Sequence, residues 1–348
     1  MTGGEIRELA RDCGFELAGI AAAAPHADSA GYHQWAGLGF AGEMKYLTDR
    51  RADVRNDPRN LLASARSIVC VGKLYNTPWP YSTQFQEPDR AWISRYAWGD
   101  DYHDVMRAGL ERLAARITER AGPFEWRACV DTAPLLERSY ARAAGLGWIG
   151  RNTCLINQGS GSWFFLGELL VSLDIAPDAP PPDRCGTCSR CIDACPTAAI
   201  VPAEPGRYTV DSRLCISYFT IELRGGIPEP AREGMGAHAF GCDICQDVCP
   251  WNRRAPMTGD AAFAPREFAP DLARLASLSE VEFREMFRGS PVTRARYAGF
   301  LRNVCVAMGN RGLAEFRAPL EKLASSADPT ITEHARWALG RLGTSQLP

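Results

Sequence analysis

No stretch of this 348-residue chain approaches the roughly 18 consecutive apolar residues that cross a bilayer, so no membrane is expected as a partner. An excess of either charge is also missing. Thirty-nine Lys and Arg stand against 41 Asp and Glu, and a net charge of −2 provides no global drive toward nucleic acid. The first residues carry acids, no uninterrupted apolar core and no paired arginines, so neither a secretory nor a twin-arginine signal is read there. With thiols this abundant, a cytoplasmic location is expected. A hydrophobic content of 46% and a charged content of 23% are ordinary for a globular protein, and the length suggests two or three domains.

What the chain has in excess is cysteine, 13 in all. Residues 185–196 read Cys-Gly-Thr-Cys-Ser-Arg-Cys-Ile-Asp-Ala-Cys-Pro, and residues 242–250 read Cys-Asp-Ile-Cys-Gln-Asp-Val-Cys-Pro. The first is the C-x2-C-x2-C-x3-C-P run of a two-cluster ferredoxin. The second is its counterpart with the leading cysteine displaced. In such runs three thiolates hold one [4Fe–4S] cluster and the fourth crosses to the other. Cys185, Cys188 and Cys191 are therefore assigned to one cluster with Cys249. Cys242 and Cys245 share the second with Cys195, and Cys215, which alone lies between the two runs, is the default eighth ligand. A zinc site would use four of these residues and leave half idle. A disulfide framework belongs to small secreted domains. Cys13, Cys70, Cys129, Cys154 and Cys305 read as small buried hydrophobes.

Residues 1–176 read as a mixed α/β domain. Ile6, Leu9, Ala10 and Cys13 mark an amphipathic first helix. Residues 15–23, 67–74 and 126–130 read as strands, 162–175 as a strand or strand pair, and 104–120 as a helix. Residues 176–182 (Ala-Pro-Asp-Ala-Pro-Pro-Pro) form a stiff linker. The cysteine module follows, and 177–260 is taken as a two-cluster ferredoxin-like domain. Residues 261–348 read as all-helical, over 272–277, 279–287, 293–309, 314–325 and 331–342; the last three resemble HEAT units. Within 291–317, Arg294, Arg296, Arg302, Arg311 and Arg317 face a single acid, Glu315. Such a stripe neutralises phosphates or is simply a solvated face.

Three motifs in the first domain need weighing. Gly145-Leu-Gly147-Trp-Ile-Gly150 matches G-x-G-x-x-G but follows a helix expected over 134–144 rather than a strand, which rejects a dinucleotide site; Gly145 suits a left-handed cap instead. His103, in Asp101-Tyr-His-Asp-Val-Met106, falls one residue short of a D-x-H-x-x-G pattern and is read as structural. Asp131 precedes the helix at Pro134, so it is either an N-cap or, if burial raises its pKa, a proton donor.

The strings Val130-Asp131-Thr-Ala-Pro-Leu-Leu-Glu-Arg138, Gly147-Trp-Ile-Gly-Arg-Asn-Thr153, Gly161-Ser-Trp-Phe-Phe-Leu-Gly-Glu168, Cys215-Ile-Ser-Tyr-Phe-Thr-Ile-Glu222 and Phe240-Gly-Cys-Asp-Ile-Cys-Gln-Asp-Val-Cys-Pro-Trp-Asn252 together resemble those of epoxyqueuosine reductases, cobalamin-dependent tRNA-modifying enzymes. The resemblance runs from the N-terminus through Asn303. It implies a cobalamin-binding domain at 1–176, the two-cluster module and a HEAT-like tRNA-binding domain, an α+β multidomain protein overall. It also implies reduction of epoxyqueuosine to queuosine at the tRNA wobble position, the last step of queuosine biosynthesis. In that scheme cob(I)alamin, fed by the clusters from an external low-potential donor, attacks the epoxide, and Asp131 protonates the departing oxygen. Arg55, Tyr96, Asp131, Asn152, Ser217 and Asp243 fall in segments that surround cobalamin in the family. Glu222, Leu223 and Arg224 fall where the family contacts tRNA, and Arg294, Arg296 and Arg302 are expected on phosphates. A monomer is expected. The alternatives are a cobalamin-dependent reductive dehalogenase and a non-enzymatic electron carrier, which would leave the first domain's motifs without use.

Overall fold

A computed structural model describes residues 1–204 and 206–342. The last six residues of the expected 261–348 domain lie outside this range. Helix α1 (Gly3–Asp12) starts at a capping box: the Thr2 hydroxyl accepts the Glu5 N–H, and the Glu5 carboxylate accepts the Thr2 N–H. Strands β1 (Leu17–Ala22) and β2 (Ser67–Leu74) follow. Next come the 20-residue helix α2 (Tyr102–Ala121), strand β3 (Trp126–Cys129), helix α3 (Glu137–Ala143) and strand β4 (Phe164–Val171). The sheet order is β1-β2-β4-β3, and every pairing is antiparallel.

Helices cover both faces of this sheet. Val69, Val71, Phe165, Leu169 and Val171 pack with Ile6 and Leu9 of α1 and with Met106, Leu110, Leu113 and Ile117 of α2. Ile68, Cys70, Leu74 and Leu170 pack on the other side with Leu135, Tyr140 and Ala141. Burial on both faces explains why β2 is a continuous buried run rather than an alternating one. The segment expected as a strand or strand pair is the single strand β4. Helix α3 is shorter than 134–144 because Thr132–Leu136 forms tight turns before it. It ends as expected: Gly145 has φ +82°, and the amides of Gly145 and Leu146 bond back to Arg142 and Ala141 in a Schellman motif.

The proline-rich stretch 176–182 is strapped down. The Asp178 carboxylate accepts the Ile20 N–H and pairs with Arg7, while the Asp178 N–H donates to the Ile20 carbonyl. Further along, the short strand His238–Phe240 pairs in parallel with Trp92–Ile93. Residues Ala91–Ile93, Ala97 and Trp98 share one core with Leu272, Phe283, Phe300, Val304 and Phe316 of the C-terminal helices. The long helix there, Arg296–Arg311, packs against Pro329–Arg341 and is preceded by a 3-10 turn over Pro291–Ala295. No described helix is long and apolar enough to cross a membrane.

Candidate active site and cluster ligands

The short helices Arg190–Asp193 and Ile244–Asp247 lie against each other and carry the cysteine runs. Their thiols fall into two quartets. Cys191 feels the charges of Cys249, Cys185 and Cys188; Cys242 feels Cys215 and Cys195, and Cys245 feels Cys242 and Cys215. Cys249 thus lies within electrostatic reach of Cys191, and Cys195 within that of Cys242. Burial, and then the neighbouring thiols, push Cys191 up to about 11. For Cys249, pushed up to about 11, burial is again the main cause. Iron bound at thiols crowded in this way would displace their protons to solvent and hold them as thiolates. Among the described residues no three metal-ligating side chains converge on a single-ion site.

Cys154, expected as an inert hydrophobe, does not sit apart from the quartets. Its thiol hydrogen-bonds that of Cys245, and this bond lowers the Cys154 pKa. The local geometry follows from Asn152, whose Nδ2 donates to the Cys245 carbonyl (3.3 Å) and whose Oδ1 accepts the Cys154 N–H (3.2 Å).

Asp131 is not an N-cap. Helix α3 begins six residues later with Leu136 at its cap position, and Asp131 has φ +44°, a left-handed conformation that Asp tolerates better than most residues. Its carboxylate accepts from His103 Nε2 (3.3 Å) and from the Tyr102 hydroxyl. His103 Nδ1 in turn meets Asp101 Oδ1 at 2.7 Å, so the imidazole is held between two carboxylates. Burial works against its protonation, but the bonds to Asp101 and Asp131 win and push His103 up to about 9. The Asp131 side chain is half exposed; the desolvation it feels pushes upward and is outweighed by the bond and charge of His103, by Tyr102 and by Arg294, leaving it below the ordinary value. The structural reading of His103 is thus corrected, and the site's proton resides on the imidazole. The tripeptide Asp101-Tyr102-His103 at the start of α2 was the available signal. Its counterpart Asp131 sits across the sheet at the end of β3, a pairing no local spacing reveals.

Around this pair lie Tyr46, Tyr96, Glu222 and Arg294. Burial, and then Glu222, push Tyr46 up to about 12, and Tyr96 is raised by burial, then by Asp131 and Asp243. Arg294 pairs with Glu222 at 2.7 Å and lies over the Tyr46 ring. Three non-glycine residues of these segments adopt positive φ: Asp131, Thr153 (+62°) and Arg296 (+58°). For a β-branched Thr this is an outlier, and strain of this kind gathers at functional sites.

The other expected contacts divide. Asp243 is 1% exposed, and its carboxylate is filled by Trp92 Nε1, the Ser94 hydroxyl and the Arg95 N–H, so it braces residues 92–95 beside the second quartet. Arg55 is buried and donates to the carbonyls of Tyr46 and Arg51. Ser217 donates to the Cys215 sulfur. Arg224 is exposed and reaches the Arg294 carbonyl (2.9 Å), while Leu223 is buried.

Arg302 is a correction. It is 0% exposed and donates to the carbonyls of Phe219, Leu223 and Gly225 and to Asn303 Oδ1, so no phosphate reaches it. The helix Arg296–Arg311 buries that side because it packs on residues 219–225, a contact invisible in a stripe of arginines. Arg302→Met is expected to lower stability by roughly 3 kcal/mol, because it leaves buried carbonyls without donors. A drop in denaturant midpoint with an unchanged salt dependence of tRNA binding would check this.

The chain matches two families of known domains: "Epoxyqueuosine reductase QueG, DUF1730" over residues 55–132 and a "4Fe-4S double cluster binding domain" over 184–252. It is 42% identical to the epoxyqueuosine reductase of Xanthomonas campestris, over 97% of this chain and 95% of that one. The corresponding protein of Pseudomonas aeruginosa is 41% identical over 97% and 94%. A crystal structure of an epoxyqueuosine reductase with an epoxyqueuosine-modified tRNA-Tyr stem loop superimposes with a TM-score of 0.88 at 28% identity, covering 98% of this chain and 90% of that one. The Bacillus subtilis enzyme, with its catalytic aspartate loop swung out of the active site, superimposes at 0.86 and 28% over the same shares.

Proposed function

The chain belongs to the epoxyqueuosine reductase family, and we propose that Asp131 and His103 together deliver the proton in the deoxygenation of epoxyqueuosine on tRNA. The reaction takes up two electrons and two protons, converts the epoxide to the alkene of queuosine and releases its oxygen as water. Iron–sulfur clusters supply the electrons singly. This assignment sets aside the dehalogenase and electron-carrier readings. The observation that carries the catalytic reading is the Asp131 carboxylate held between His103 and Tyr102, on a backbone turn at positive φ.

The residues around Tyr96 are the ones we assign to cobalamin. Tyr96 lies within electrostatic reach of Asp131, Asp243, Glu222 and Arg294, and so joins the proton-bearing pair, the second quartet and the tRNA segment at one place. When bound, cobalamin supplies a strong carbon-directed nucleophile fed by one-electron donors. Tyr96, Ser217 and the backbone of 150–154 and 241–243 would hold it, with Arg55, Asn152 and Asp243 acting as braces. Asp131 faces the departing oxygen and relays to it the proton that rests on His103. Ordering of the Asp131 turn accompanies substrate binding, in keeping with the swung-out loop of the B. subtilis relative.

Glu222 and Arg224, together with Arg294 and Arg296, form the tRNA face beside this pair, and the buried Leu223 packs beneath it. The HEAT-like helices carry two of these arginines, and a monomer acts in the cytoplasm with an external low-potential donor. Because Arg296 and Arg224 are exposed, Arg296→Ala is expected to weaken tRNA binding and to reduce its log–log salt slope by about 0.7–0.9 per phosphate lost. An unchanged slope assigns Arg296 to a solvated face. The decisive experiment is anaerobic incubation of the cobalamin-loaded protein and a low-potential reductant with epoxyqueuosine-bearing tRNA, followed by mass analysis. Loss of one oxygen, dependent on cobalamin, is the expected result. Bound cofactors without that loss would overturn the reading.

A further inference from the structure

One buried acid has no use in the scheme above. Glu168 lies in the middle of β4, opposite Cys70 of β2 and Cys129 of β3. It is 0% exposed, and alternation along the strand aims it at the layer of Ile68, Cys70, Leu135 and Leu170. Neither carboxyl oxygen finds a hydrogen-bond donor among the described residues. A charge in such a place is strongly opposed by desolvation, so the group stays a neutral acid. Its hydroxyl then needs an acceptor. The group that shares its pocket is the carboxyl of Glu137, at the start of α3. Glu137 Oε1 in turn accepts the backbone N–H of Asp131.

We propose that Glu168 is a positioning residue, donating its proton to Glu137 and so fixing the carboxylate that clamps the Asp131 amide and aims the Asp131 side chain. The proposal rests on the proton-donor reading of Asp131. Without Glu168 the Glu137 side chain loses its anchor, and the left-handed turn at Asp131 loses the bond that its amide makes to α3. The charged and titratable groups facing the pair are Asp131 and Arg138 near Glu137, Tyr102 from α2, and the Cys70 and Cys129 thiols from β2 and β3. Burial first, then the partner acid, raises Glu168 well above the ordinary carboxyl range; burial and then Asp131 raise Glu137. The pair therefore keeps a proton through neutral pH.

Two variants and one spectrum test this. Glu168→Gln still donates to Glu137, whereas Glu168→Leu does not. The Leu variant is expected to lose at least about 10-fold in kcat with KM for tRNA and cluster content unchanged, because misplacement of a reacting group by about 1 Å costs up to about 100-fold. The Gln variant is expected to recover most of that loss. Equal loss in both variants, or full activity in Leu, would overturn the proposal. Infrared spectra of the protein at neutral pH should show a protonated-carboxyl band that disappears in Glu168→Gln, and the absence of that band in the parent would also overturn it. The spectrum does not depend on turnover or on a well-folded Leu variant. If Asp131→Asn keeps full turnover while the band behaves as expected, the proton-donor reading fails and the acid pair stands.

Discussion

Replacing Asp131 with Asn should slow queuosine formation by roughly 10²–10⁴-fold, the usual contribution of a positioned general acid. The amide keeps the size of the carboxyl group and can still bond Tyr102 and His103, so clusters, tRNA affinity and stability should be nearly unchanged. Single-turnover kinetics of the loaded enzyme, set beside tRNA binding, would separate lost proton delivery from lost positioning. The pH dependence follows from the same pair. Because His103 is pushed up to about 9, the site is loaded with its proton across neutral pH, and turnover should fall as pH rises through that value. Stability shares the sign. The raised His103 contributes stability below the ordinary value of 6.5, lost as pH climbs through about 9, while the lowered Asp131 contributes above 3.8, lost as pH falls toward its own pKa. His103→Gln should remove the alkaline limb, and an unmoved limb would assign it to another group.

The other large effect concerns the crossing thiols. Cys249→Ala should abolish the cluster held by Cys185, Cys188 and Cys191, although Cys249 is far from them in sequence and close to Cys245. Cys195→Ala should abolish the cluster held by Cys242, Cys245 and Cys215. Iron and sulfide analysis, with electron paramagnetic spectra of the reduced protein, should show one cluster remaining in each variant. Turnover should stop in both, since electrons need an unbroken route to the active site. Loss of the cluster nearer in sequence in either variant would refute the crossed assignment. The mutual influence of Cys191 with Cys249 and of Cys242 with Cys195 makes that outcome unexpected.

Cysteine spacing made the clusters legible, because ligation is a local matter: two turns of chain hold three thiolates. The strand at 67–74 and the helix at 104–120 were legible for a similar reason, since a continuous apolar run and a 3.6-residue period report burial directly. Asp131 was recognisable as a candidate through resemblance, but its capping role was not decided by neighbours in sequence.

Tertiary structure decided the rest. The imidazole of His103 meets Asp131 only because α2 and the end of β3 converge on one end of the sheet. Arg302 reads like its exposed neighbours in the 291–317 stripe, yet packing on 219–225 buries it completely. Glu168 ends a family string and looks like any strand acid, and only the sheet's two covered faces show that its carboxyl has nowhere to ionise. Sequence by itself thus determined the iron–sulfur module and most of the elements, because cysteine spacing and apolar periodicity depend on residues a few positions apart. Which acid holds a proton and which arginine meets solvent depend on desolvation and on partners up to 83 residues away, quantities set by packing.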